Sequence, residues 1–244
     1  MLIKADIHIH TCLSPCADIT QSPKRIIETA FKKGLKLIFI TDHNTAENTE
    51  AAMKSAEKYK DMNVYPGMEL TSREEVHTLA LFENINDAYE AQNYLYGYLP
   101  DTDNKKEYEN QILANELDEV EGFLKKSLFS AVDMSLEKIL EIIHENNGIA
   151  IAAHIDRESF SVLSQLGFIP KSLNYDALEL SPNMSYAQVR IKYPEYSNKF
   201  VFLKGSDAHS LNMVGTAYTE FEAVDNSFKS LRNYINEGPV LTYS

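Results

Sequence analysis

Apolar residues recur along the chain in two rhythms. Short, nearly continuous runs read as strands: residues 2–10, LKLIFI (35–40), NVYPGMEL (63–70), VHTLALF (76–82), GIAIAAH (148–154), DALELS (176–181) and KFVFLKGS (199–206). Between them lie stretches with helical spacing. The first opens at Ser22-Pro23, carries Ile26, Ile27, Ala30 and Phe31 on one side, and stops near Gly34. Others cover residues 46–60, 86–97, 107–125, 135–147 and 226–237. Apolar strands joined by helices predict a parallel sheet buried on both faces. Residues 100–134, which begin DTDNKKEYEN, break the rhythm. They read as an insertion or lid on one domain spanning 1–244.

Composition narrows the class. The chain is 44% hydrophobic and 24% charged, an ordinary globular mix. No apolar run approaches the ~20 residues that span a bilayer, and no basic segment followed by an apolar one marks a secretory leader. A net charge of −13 argues against a surface for long nucleic acid. Cys12 and Cys16 are the two cysteines, and beside histidines they suit a reducing compartment better than a disulfide scaffold. These features together read as cytoplasmic.

The chemistry collects at the strand ends. In DIHIH, strand alternation places Asp6, His8 and His10 on one face. Asp42 and His43 end the second strand and Glu69 the third; His77 opens the fourth and His154 ends the fifth. Asp207 and His209 follow the seventh in GSDAH. His144, on a helix, is read as an ordinary residue suited to the negative end of the helix dipole. Any one of these alone is compatible with a hydrogen-bonded core residue. Together, imidazoles and carboxylates at one end of a sheet would desolvate and repel each other badly. Divalent cations remove that penalty, and the mixed N and O donors suit Zn, Mn or Fe.

These motifs resemble, in order, those of the polymerase and histidinol phosphatase (PHP) family: Asp6-x-His8-x-His10, Thr41-Asp42-His43, Gly67-Met68-Glu69, Glu75-Val76-His77, Ala153-His154 and Gly205-Ser206-Asp207-Ala208-His209. The resemblance implies a distorted seven-stranded (β/α)7 barrel that hydrolyses phosphate esters with two or three metals at its mouth. By it, His8, His10, Glu69 and Asp207 hold a first metal, and Glu69 bridges to a second bound by His77 and His154. His43 and His209 hold a third, completed from the loop after the first strand. Where relatives offer His or Asp in that loop, this chain has Cys16, with Asp18 as the rival. Asp6 is expected to steady a ligand imidazole.

Arg157, three residues past His154, and Lys204, just before GSDAH, are candidates to hold the phosphate. With Asp6, Glu69 and Asp207 as catalytic groups, the implied reaction is attack by a hydroxide shared between metals on a small phosphomonoester, such as a nucleotide or amino-alcohol phosphate. Two alternatives stand beside it: an exonuclease-type phosphodiesterase acting on short oligonucleotides, and a metal-binding regulatory module without catalysis.

Overall fold

The computed structural model describes residues 1–238. Among them the strands are β1 (Leu2–Asp6), β2 (Leu37–Ile40), β3 (Asn63–Thr71), β4 (His77–Leu81), β5 (Ile112–Ala114), β6 (Val120–Phe123), β7 (Ile149–Ala152), β8 (Ala177–Leu180), β9 (Val201–Lys204) and β10 (Thr219–Glu222). Eight of them form one sheet in the order β10-β1-β2-β3-β4-β7-β8-β9, while β5 and β6 pair separately. The sheet curls until its ends meet. His10 N–H donates to the Ala208 carbonyl (3.0 Å) and Ala208 N–H to the His8 carbonyl (3.3 Å). The Thr219 hydroxyl spans the remaining gap by accepting from Lys204 N–H at 2.7 Å. This is a distorted, nearly closed α/β barrel with eight strands instead of the expected seven. The extra strand is β10, which pairs antiparallel with β1.

A second correction concerns direction. The β3–β4 hairpin makes β4 antiparallel to both β3 and β7. The start of β4 therefore lies where its neighbours end, which explains why His77 opens its strand yet shares a mouth with Glu69 and His154.

Alternation sorts the side chains into layers. Ile3, Ala5, Ile7, Phe39, Leu79, Ile151, Ala177 and Leu203 fill the interior of the barrel. Outside, Ile26, Ile27 and Ala30 of the helix Pro23–Lys32 pack on Ile38, Ile40 and Val64. Burying each such aliphatic side chain contributes ~1.5–3 kcal/mol. The first strand breaks this rule at one point. Ile7 packs inward with Ile3 and Ala5, but Ile9 belongs to the outer layer. The facing flips between them, because β1 ends at Asp6 and the Asp6 carboxylate accepts His8 N–H (3.4 Å) in place of a ladder partner. Asp6 and the two histidines consequently do not share a face.

Residues 107–125 do not form the expected helix. One helical turn, Lys105–Tyr108, is followed by the β5–β6 hairpin. At its tip the Asn115 side chain accepts from the N–H groups of Leu117 and Glu119, both at 3.0 Å, and Asp118 adopts φ 75°. The helix-forming composition is overridden by tertiary pairing. Ile112 N–H donates to the Cys12 carbonyl (3.2 Å) and Ala114 N–H to the Asn48 side chain (3.1 Å). No helix among the described residues is long and apolar enough to cross a membrane.

Candidate metal centre

Six imidazoles and two carboxylates converge at the mouth, with Glu69 at their centre. Its Oε1 lies 2.8 Å from His77 Nδ1, 3.1 Å from His154 Nε2 and 3.4 Å from His8 Nε2. Its Oε2 lies 3.2 Å from His43 Nδ1 and 3.4 Å from His10 Nε2. Asp207 Oδ1 is 3.3 Å from Nε2 of both His8 and His10, and His209 stands 3.5 Å from the same oxygen. Two of these residues sit in strained backbone, His154 at φ 27° and Asp207 at φ 47°. Left-handed conformations of this kind in non-glycine residues cost of order 1–3 kcal/mol and collect at functional sites.

For His8 and His10, hydrogen bonds on the far side of the ring fix the direction of its lone pair. His8 Nδ1 meets both oxygens of Glu179 at 3.1 Å, so in the neutral ring that a metal requires Nδ1 carries the proton and Nε2 turns its lone pair to the site. His10 Nδ1 meets Ser14 Oγ at 3.0 Å. That hydroxyl donates to Asp42 Oδ1 (2.6 Å) and accepts His43 N–H (3.1 Å), so it accepts from His10 as well. Both Nε2 lone pairs thus point inward, 3.1 Å apart, at two carboxylates. Such a donor set is stable only around a proton or a cation, and it fits a divalent metal. His154 Nδ1, buried without a partner, is one more polar atom in need of compensation.

Electrostatics agree with this geometry. Burial opposes ionisation of Glu69, but its electrostatic contacts with the His77, His8 and His43 imidazoles hold its carboxyl well below the usual range. Burial likewise disfavours a charged His8; Glu179, Asp207 and Glu69 outweigh it and raise its pKa well above the usual value. Burial, reinforced by His10, His77 and His209, pushes His43 well down, which leaves it neutral and available to a metal.

The donor atoms form three close groups: His8, His10 and Asp207; His43, Glu69 and His77; and His10, Cys16, His43 and His209. Cys16 therefore stands among the histidines; the residue is exposed, but desolvation of its thiol by the packed mouth and then the charge of Glu69 push it up to about 12. Asp18 is committed elsewhere, its carboxylate accepting from Thr20 N–H and the Thr20 hydroxyl at 2.8 and 2.7 Å. Arg157 reaches the mouth, its guanidinium against Asp207.

Two expectations fail. Lys204 alternates with the inward-facing Leu203, so it leaves the barrel and its Nζ lies over the Tyr186 ring, 5.7 Å from the centroid. Asp6 touches no imidazole. Its carboxylate accepts N–H groups of Ser206 (2.8 Å) and Gly215 (2.9 Å), tying β1 to the segments beyond β9, and burial pushes it up to about 6. The contact to an imidazole expected of Asp6 is made by Glu179, which sequence reasoning missed. The signal was available as a lone acid inside the apolar run DALELS.

A barrel mouth that gathers imidazoles around a shared carboxylate defines a metal-dependent hydrolase. The PHP-domain profile matches residues 6–163, and a PHP-associated profile matches residues 198–240. The chain belongs to the PHP family of metal-dependent phosphoesterases. An uncharacterized protein of Methanocaldococcus jannaschii is 36% identical over 92 residues, which cover 34% of this chain and 53% of that protein. Endonuclease Q of Pyrococcus furiosus, a lesion-specific endonuclease, superposes over 97% of this chain and 56% of its own, with 19% identity and a TM-score of 0.74. An amidohydrolase from Chromobacterium violaceum, solved with bound sulfate, matches over 95% and 96% of the two chains, with 15% identity and a TM-score of 0.62. The chain spans about half the length of the curated relative and of endonuclease Q.

Endonuclease Q has been captured with a 27-mer duplex carrying an abasic lesion at its active site. This overturns the exclusion of long nucleic acid drawn from the charge of −13. Net charge reports the average field, whereas a strand is gripped by a local surface and by metals that supply their own positive charge.

Proposed function

We propose that the chain hydrolyses a small phosphate ester, a phosphomonoester such as a nucleotide or an amino-alcohol phosphate, using two or three ions of Zn, Mn or Fe. The observation that supports this reading is the pair of inward lone pairs on His8 and His10, facing Asp207 and Glu69. In the proposed assignment His8, His10, Glu69 and Asp207 hold one metal, and Glu69, His77 and His154 a second. His43, His209 and Cys16 hold a third. Bound divalent ions supply a water acidic enough to act as nucleophile near neutrality and stabilise charge on the phosphoryl oxygens. Arg157, 40% exposed at the mouth, orients the phosphate through its planar fork of donors. Glu179 and Ser14 hold the imidazoles in the tautomer that binds metal, while Asp6 acts as an anchor and not in catalysis.

A cavity of about 290 Å³ opens beside the metal residues, at the small end of the ~300–1,000 Å³ typical of ligand sites. Residues 100–134 supply one wall of it and select substrate by size. The free thiols of Cys12 and Cys16 accord with a cytoplasmic setting.

A second reading, cleavage of a nucleic-acid phosphodiester, is favoured by the fold shared with endonuclease Q. The test is phosphate release from monoesters compared with strand scission of single-stranded and lesion-bearing duplex oligonucleotides, with Mn, Zn and Fe in turn. Release of phosphate from monoesters is the expected result. Scission alone would transfer the assignment to the second reading. A metal-loaded protein inert on every ester would leave a binding module.

A further inference from the structure

We infer that Leu128, Phe129 and Phe160 form a stacking wall that seats the flat aromatic base of a nucleotide beside the metal centre. The inference rests on the phosphomonoester reading and names the substrate class. All three residues border a cavity that His43, His77 and His209 also line. The two phenylalanines are 62% and 42% exposed, although they adjoin a centre whose Glu69 is 1% exposed. Apolar rings left open next to buried ligands suit a substrate that brings a phosphate to one side and an apolar face to the other.

The Phe160 ring is held by a metal residue, and the backbone on either side of Phe129 by a neighbour of one. Phe160 stacks on the His77 imidazole, with centroids 4.7 Å apart and planes 18° apart. Its carbonyl accepts His77 N–H at 2.8 Å. It adopts φ 56°, an outlier for a bulky residue that the surrounding structure has to enforce. Asn44, next to His43, donates to the carbonyls of Leu128 (3.1 Å) and Ser130 (3.0 Å), bracketing Phe129. A ring fixed before the ligand arrives, as Phe160 is, loses little entropy on binding. Among the described residues this cavity is lined by no Lys, Arg, Asp or Glu, while Leu128, Phe129 and Phe160 give it the apolar face on which a base stacks.

The chain contains no tryptophan, so Phe129→Trp creates a single tryptophan, excited apart from the tyrosines, that keeps a stacking face. Metal-loaded Phe129→Trp protein is mixed with adenosine monophosphate or with glycerol phosphate in a stopped-flow fluorimeter, and phosphate release is followed in the same samples. Saturable quenching by the nucleotide but not by glycerol phosphate is expected. Adding Phe160→Gly, which suits the left-handed backbone while removing the ring, should weaken the nucleotide Kd roughly tenfold, the scale of one aromatic–base stack. Metal content and Tm are measured alongside. Equal responses to both phosphates, or an unchanged Kd in the Phe160→Gly protein with its metals retained, would overturn the inference. Quenching as expected without phosphate release from any ester supports the wall and defeats the hydrolytic reading instead.

Discussion

Glu179 offers the sharpest test of how the centre is organised. Both its oxygens meet His8 Nδ1 at 3.1 Å, and Oε2 also accepts His154 N–H at 3.0 Å. Gln in its place keeps the volume but has one oxygen for two donors, so an N–H must face an N–H. Hydrogen bonds to a charged group contribute ~1.5–3 kcal/mol. At about 1.4 kcal/mol per tenfold, that matches the ~10–100-fold losses typical when the outer partner of a metal-bound imidazole is removed. Glu179→Gln should weaken zinc binding about tenfold, and Glu179→Ala, which abandons both donors, about a hundredfold. The pocket has no slack to compensate. A Cβ built on Gly205 would lie 2.6 Å from His8 Cβ and 2.8 Å from Glu179 Oε1. Chelator competition with a zinc indicator gives the affinities, and thermal melts check the fold. A folded Glu179→Gln protein with unchanged zinc affinity would refute the reasoning, because His8 would then need no partner to present its lone pair.

Glu69→Gln should lose metal occupancy and most turnover while still folding, whereas His144→Ala, which removes only a 3.0 Å contact to Asp176, should leave activity near normal; metal analysis and a phosphate-release assay decide both. Cys16→Ser should lower the metal count by one and Asp18→Asn should not; the reverse pattern would assign the site to Asp18. In the metal-free protein the Glu69 carboxyl is held below its ordinary 4.5, so its stabilisation is complete above that pH and is lost as acid carries the solution through the folded value. The Tm gap between wild type and Glu69→Gln should therefore be widest above pH 4.5 and close on acidification. Metal affinity should rise with pH, because the proton that its acidic neighbours hold on His8 must leave when a metal binds.

The parts of this site legible in sequence were those fixed by local alternation. His8 with His10, and Glu69, His154 and Asp207 at the ends of apolar runs, announce themselves because a strand end at a barrel mouth has few other reasons to carry such groups. What escaped depended on partners far along the chain. β10 exists because it pairs with β1, and no local pattern in VGTAYTEF requires that. Residues 107–125 have a helical composition but are claimed by Cys12 and Asn48. Asp6 was placed with the histidines by unbroken alternation, yet its own carboxylate ends the strand and reverses the facing. Lys204 failed for the same kind of reason: proximity in sequence to GSDAH says nothing about which side of β9 it leaves.

The join of the cylinder gives the metals a second role. Asp6 and Ser206, 200 positions apart, meet there, and at the rim one isolated bridge, Ile9 with Ala208, stands in for a ladder. Ions shared by His8, His10 and Asp207, as proposed, would cross-link the two ends of the chain much as a disulfide does. For a covalent link closing even a 100-residue loop, the entropy removed from the unfolded chain amounts to ~4.7 kcal/mol. Read in polymer terms, the catalytic centre is also a buckle: stripping the metals would slacken the entire hoop of strands, and the protein's resistance to unfolding would track the supply of the ions it uses for chemistry.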